Sequence, residues 1–189
     1  MNILIGGFSG VPGSGANYVN EVSLDIEMVI AMAPGLSQVL VYEADTLSAG
    51  EDDVLFNRMA TDNLAQQLSS SWNFPTDPTT EQIFQEIAAQ GQSFFESSGD
   101  GLAYDSALNP IPAPEDSPWL TIVGGTTLST LGPGRGWASE TVWNAGYSGS
   151  GGGVSDTYPI PSWQQGIDMS KNGGSTSMRN TPRRGLRSE

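Results

Sequence analysis

Glu21 and Asp25 stand four residues apart, and Asp100 sits in the glycine turn SSGDG. The chain has no histidine and no cysteine, which removes the commonest general base, a thiol nucleophile and Cys-ligated zinc. A Ser-His-Asp triad is impossible. Proton chemistry must therefore run through carboxyl groups, whose pKa values begin near about 4, and so suits an acidic medium. Two carboxyls on one helix face resist ionising together, so one pKa rises and the pair can share a proton as a general base. Asp100, if buried and protonated, could donate a hydrogen bond to a developing oxyanion. Trp72 follows the triple serine Ser69, Ser70 and Ser71, and an exposed indole there would line a groove for an extended peptide. Each feature also has a plainer reading. Acidic side chains in a first helical turn favour the positive end of the helix dipole, aspartate is a common turn former, and a tryptophan at a strand end is often packing.

These side chains need elements to hold them. Between Asn20 and Ala33, the residues Val22, Ile26, Val29, Ile30 and Ala33 recur at i, i+4, i+7, i+8 and i+11, the stripe of an amphipathic helix that Pro34 and Gly35 stop. Glu21 and Asp25 lie about 40° apart around its axis, near its N-terminus and beside the stripe, which would anchor them. The spacing predicts strands at 3–5, Val39–Tyr42, Leu64–Ser71, Ser93–Glu96 and Leu120–Val123, and helices at Val54–Asn63 and Thr79–Gln90, the last with Thr80 as N-cap. Strands alternating with helices indicate an α/β domain with a mainly parallel sheet, whose functional residues collect on loops after the strands. The stretch GGFSGVPGSGANY reads as a loop. The runs SGSGGGVS (148–155) and VGGTT (123–127) lack a phosphate-loop lysine and the order of a dinucleotide site, and read as turns. The acidic cluster Asp45, Glu51, Asp52 and Asp53 fits no EF-hand spacing and reads as a solvated face.

Composition narrows the partners. With 189 residues the chain holds one domain and little more, and a charged share of 15% leaves Ser, Thr, Asn, Gln and Gly to build the surface. Twenty-four glycines and twelve prolines make it loop-rich. A net charge of −14 would repel a phosphate backbone, so nucleic acid is not expected as a partner. No apolar run reaches the roughly 18 residues of a membrane span, and the start MNILIGGFSG has no signal-peptide pattern. Residues 1–170 hold 20 acidic and 2 basic side chains, whereas 171–189 hold 1 acidic and 5 basic. The end, TPRRGLRSE, has no apolar period and reads as a disordered tail.

The order EVSLDIEMVIAMAPG, LSSSWN, SSGDG, SPWLTIVGGTTL, ETVWNAGYSGSGGGVSDTYPIPSWQ and NGGSTSMRNTP closely resembles the sedolisin family of serine-carboxyl peptidases, from about residue 3 to residue 182. The resemblance implies a subtilisin-like α/β fold, a parallel sheet flanked by helices and incomplete at the C-terminus, with an acid-active endopeptidase site at the strand ends. It makes residues 1–182 a partial peptidase domain and 183–189 a divergent basic tail. It implies that Glu21 is the general base, Asp25 its proton-sharing partner and Asp100 the oxyanion-stabilising acid. Ser70, Ser71 and Trp72 become part of the groove for a polypeptide substrate.

The sequence departs from the family in one decisive respect. The family's nucleophile lies in a later SGTS-type motif, which these 189 residues do not contain; the STS at 175–177 precedes MRN and belongs to an earlier segment. The family's calcium site, formed near the domain's C-terminus, and its N-terminal propeptide are not in the sequence either, so no cofactor is expected here. The charge change near the end suggests a truncated or frameshifted gene or a partial gene model, and a chain inactive alone. Secretion is expected from the family. The alternative is a non-catalytic, degenerate peptidase domain that binds peptides or another protein, or a pseudogene product. A carboxylate-pair glycosidase fits poorly, because its two acids must stand apart across a sugar cleft.

Overall fold

The computed structural model describes residues 1–11, 16–44, 50–104, 110–169 and 173–182, with the side chains of 16–18 left aside. Part of the expected loop after residue 6, Asp45 of the acidic cluster and the basic tail 183–189 lie outside the described residues. The chain divides into two units, Met1–Ser93 and Phe94–Glu189.

In the first unit, β1 (Asn2–Leu4) and β2 (Val41–Glu43) pair in parallel, with Ile3 opposite Tyr42, and are joined through helix α1 (Ala16–Met32). A parallel pair needs such a crossover. Helix α1 starts earlier than the apolar spacing predicts. Glu21 and Asp25 therefore lie in its second and third turns, so the helix dipole does not account for them. The predicted stripe is also only partly covered. Val22 and Ile26 are half-buried, but Ile30 is 54% exposed. The β1–β2 side of the helix ends in an open groove of about 480 Å³, lined by Met1, Ile26, Ile30, Ala33, Leu36 and Val39 among others.

Helix α2 (Glu51–Asp62) packs on α3 (Pro78–Ala89) and touches β2. Between them β3 (Gln67–Ser70) ends at the triple serine. Asn63 closes α2 in a left-handed conformation, with its N–H donating to Met59 O, a role for which asparagine is well suited. The start of α3 corrects the sequence reading. Asp77, not Thr80, is the N-cap: its carboxylate accepts from the Thr79 and Thr80 N–H groups, while the Thr80 hydroxyl accepts from Asp77 N–H. Pro78 at the first helical position has no N–H to leave unsatisfied. The core is built where the two helices meet. Phe56, Phe74 and Phe84 form a tilted and edge-on triad, with ring centroids 4.6 Å, 5.5 Å and 6.3 Å apart, joined by Met59, Leu68, Ile83 and Ile87.

The second unit is strand-rich. Strand β4 (Ser93–Ser97) runs into it and pairs in parallel with β6 (Thr121–Val123). Strand β5 (Gly101–Ala103) pairs in parallel with β9 (Gly149–Gly152). The hairpin of β7 (Thr126–Thr130) and β8 (Trp137–Val142) is antiparallel and exposed along its whole length, and β10 (Val154–Pro159) pairs antiparallel with β11 (Met178–Asn180). The expected parallel pairing holds for the inner strands, with antiparallel pairs added after residue 123.

The glycine run at 148–155 is not a turn. Gly149–Gly152 form a buried strand, with Gly149 N–H donating to Asp100 O and Gly151 N–H to Gly99 O at 2.7 Å. An added Cβ at Gly151 would overlap the Ser98 carbonyl oxygen. The glycines are there for close backbone approach, which composition alone does not separate from turn formation. Asp52 corrects a second expectation: it is 2% exposed, not part of a solvated face.

Candidate active site

Glu21 and Asp25 project from successive turns of α1, both half-buried. Residues four apart on a helix have Cβ atoms about 5–6 Å from each other, so Glu21 and Asp25 leave α1 from the same side, one turn apart. Asp25 has a defined partner: the Ser71 hydroxyl donates to Asp25 Oδ1 at 3.0 Å. Burial pushes the Asp25 pKa up, and the Ser71 hydrogen bond, which favours the ionised form, pulls partly against it. The net result is a carboxyl that holds its proton more tightly than in water. Ser71 reaches it from just beyond the end of β3, 46 residues away in sequence.

The preceding serine has a local task. Ser70 Oγ accepts from the Trp72 N–H at 3.1 Å, a turn that carries the chain off the strand end and sets the half-buried Trp72. Glu21, Asp25, Ser70, Ser71 and Trp72 thus all belong to the first unit. The sequence anticipates the serines as groove residues but does not connect Ser71 with Asp25. The only available signal is a polar run directly after an apolar-patterned strand.

Asp100 belongs to the second unit. Its backbone is fixed, because its carbonyl accepts from Gly149 N–H at 3.0 Å and from the Ser148 hydroxyl at 3.1 Å. Its side chain is exposed, so the burial set as a condition for a proton-holding Asp100 is not met among the described residues. Beside it, Gly99 adopts φ +73°, and a side chain there would strike the Tyr104 hydroxyl and the Glu115 carboxyl. Burial first, then the charges of Glu115 and Asp100, push the Tyr104 phenol up to about 12. A concavity of about 630 Å³ in this unit is lined by Trp119, Trp163, Met169, Arg179 and Asn180 among others, none of them a residue singled out by the sequence.

Solved structures share the fold of this chain. Pseudomonas sedolisin, a serine-carboxyl proteinase complexed with two molecules of pseudo-iodotyrostatin, superposes with a TM-score of 0.77 at 28% identity, over 96% of this chain and 55% of that one. In sequence, the chain is 34% identical to sedolisin of Pseudomonas sp. (strain 101) over 76% of its length, and 30% identical to xanthomonalisin of Xanthomonas sp. (strain T-22) over 86%. Kumamolisin of Bacillus sp. (strain MN-32) matches at 34% over 86%. The chain is related to the sedolisins. It spans 26% to 32% of the length of these curated relatives. No family model matches it. The sedolisin relationship carries the subtilisin-like α/β fold expected from the sequence motifs.

Among the described residues no group of three or more Asp and Glu side chains converges as a metal site would require. No described helix is long and apolar enough to cross a membrane.

Proposed function

We propose that this chain carries the carboxyl half of an acid-active serine endopeptidase site. In this reading Glu21 takes the proton of a serine hydroxyl as that oxygen attacks the peptide carbonyl, and Asp25 shares and steadies that proton. The family resemblance gives Asp100 the oxyanion, to which only its protonated carboxyl can donate, so with an exposed side chain this role needs an acid medium; the Ser70–Trp72 segment borders the groove for a polypeptide substrate. The attacking serine comes from an SGTS-type segment outside these 189 residues. The observation that supports the reading is Asp25 itself, gripped by Ser71 at 3.0 Å and biased towards its protonated form by burial, one helical turn from the half-buried Glu21. A pair that shares one proton is a competent base where histidine is absent. An extracellular acidic setting belongs to this reading, since acid relieves the self-repulsion of a −14 chain.

The test joins residues 1–182 to the serine-bearing part of Pseudomonas sedolisin and follows peptide cleavage between pH 3 and 5. The fusion should cleave, Glu21→Gln should lower kcat by about 10² or more, and the 189-residue chain alone should not cleave. Turnover indifferent to both Glu21→Gln and Asp25→Asn would refute the assignment.

A further inference from the structure

Helix α2 opens with three consecutive carboxyl side chains, Glu51, Asp52 and Asp53. At the positive end of a helix dipole such groups are usually solvated and stabilising. Asp53 fits that pattern in part, half-buried and accepting from the Thr80 hydroxyl of α3 at 2.7 Å. Asp52 does not. It is 2% exposed, and neither of its carboxyl oxygens has a hydrogen-bond partner among the described residues. A carboxylate stripped of water with no donor in exchange is costly, and the neutral acid is the form such a place accepts.

Among the described residues of α2, α3 and β2, no cation is free to compensate Asp52. On α2 itself the charged groups are Glu51, Asp53, Asp62 and Arg58, and Arg58 is committed to Asp62 at 2.7 Å. From α3 come Glu81 and Glu86, with Asp77 at its cap, and from β2 come Tyr42 and Glu43. Tyr42 gives its hydroxyl hydrogen to Asp62 at 3.1 Å. Everything else on these elements that can carry charge near neutrality is an acid, so ionising Asp52 adds a buried negative charge to a negative neighbourhood.

We propose that Asp52 is a proton-dependent lock on the first unit, closed when its carboxyl is protonated and loosened at the start of α2 when that carboxyl ionises. The lock makes the α2–α3 pair an acid-adapted structure independently of any catalytic role for Glu21, Asp25 or Asp100. Burial, then Asp53, then Glu51, push the Asp52 pKa from 3.8 up to about 6. A raised folded-state pKa means that the folded chain keeps a proton which the unfolded chain releases. The stabilisation is therefore full below pH 3.8, declines as pH rises through about 6, and is gone above it. Two pKa units of difference correspond to about a hundredfold change in the unfolding equilibrium.

The experiment uses the full 189-residue chain. Amide hydrogen exchange over residues 51–62, corrected for intrinsic rates, is measured together with urea unfolding from pH 4 to 7.5. Protection over α2 should fall by about a hundredfold across this range. Asp52→Leu and Asp52→Asn should flatten most of that slope, whereas the exposed Glu86→Gln should leave it intact. Should either Asp52 variant fail to fold, the carboxyl carbon of Asp52 in the unsubstituted chain is titrated by 13C NMR, with an expected midpoint near pH 6. A midpoint at or below pH 4, or parallel pH profiles for the unsubstituted chain and Asp52→Asn, would overturn the proposal.

Discussion

Where the first unit buries Phe56, Phe74, Phe84, Ile83 and Ile87 against one another, the second buries Glu96, Glu115, Asp116, Ser150, Ser155, Arg179 and Asn180, with few large apolar side chains beside them. The first centre gains from apolar area and ring geometry, neither of which demands one exact partner. The second depends on hydrogen bonds that must all be made, because a buried polar group without its partner loses the full cost of leaving water. Arg179 shows the pattern: at 2% exposure it donates to the Asp116 and Leu120 carbonyl oxygens, both at 2.9 Å, and lies 5.6 Å from the centre of the Trp163 ring. A chain can thus stabilise neighbouring parts of an α/β fold by different physical means. Their responses to substitution and to pH should differ.

The largest effect is expected from the aromatic triad. Phe84 is fully buried and within ring contact of both Phe56 and Phe74. Phe84→Ala should cost about 3–5 kcal/mol, the range for removing a core ring, seen as a fall in the urea midpoint that varies little with pH. A loss below about 1 kcal/mol would mean that the triad is not what holds the first unit, and the comparison would fail at its apolar side.

Ser155→Ala tests the polar side. The Ser155 hydroxyl donates to Asp116 Oδ2 at 2.6 Å and accepts from the Thr157 and Tyr158 N–H groups at 3.0 Å and 2.8 Å. Its removal leaves those N–H groups and a buried carboxylate short of partners, at a cost of about 1–3 kcal/mol. Burial already raises the Asp116 pKa, while Ser155 and then Arg179 hold it down. Without the hydroxyl that pKa climbs further. A carboxyl whose folded pKa is raised stabilises at low pH and loses that contribution as pH rises, so the variant should be weaker at pH 7 than at pH 4 by more than Phe84→Ala is. Equal losses at the two pH values would show that Asp116 does not feel Ser155.

What was legible in the sequence follows the same division. The pair α2 and α3 follows from apolar spacing, because its core is apolar and period is the trace such burial leaves; the same period finds the crossover helix α1, although much of its stripe stays exposed. Element ends leave a weaker trace: Asp77 followed by Pro78 is a start signal for α3, but Thr80 is also a favoured capping residue type, and only the hydrogen bonds tell them apart. In the second unit Ser150, Gly151 and Ser155 carry no period, and a strand made of glycine has the composition of a turn. Asp52 misled for a related reason, since charge is a good guide to exposure except where it is buried. The positions of Glu21 and Asp25 were legible from helical spacing alone. The contact between Asp25 and Ser71 was not, because no local pattern links residues 46 positions apart.

That contact yields the smallest predicted effect and the sharpest use of the comparison, because it is a polar bond in the apolar unit. Ser71 makes one hydrogen bond to a carboxyl that is only half-buried, so Ser71→Ala should cost about 0.5–1.5 kcal/mol near neutral pH, towards the lower end because water can replace the donor. Its effect on Asp25 should be easier to see than its effect on stability. The Ser71 bond is the cause that lowers the Asp25 pKa against burial, so its loss should move the Asp25 titration upward in a carboxyl 13C NMR experiment. With the folded pKa raised further, the stability loss should be smallest at low pH and grow as pH rises through the Asp25 midpoint. A downward or absent shift would mean that the 3.0 Å contact does not steady the ionised carboxyl, and the first unit would hold its proposed acid pair by burial alone.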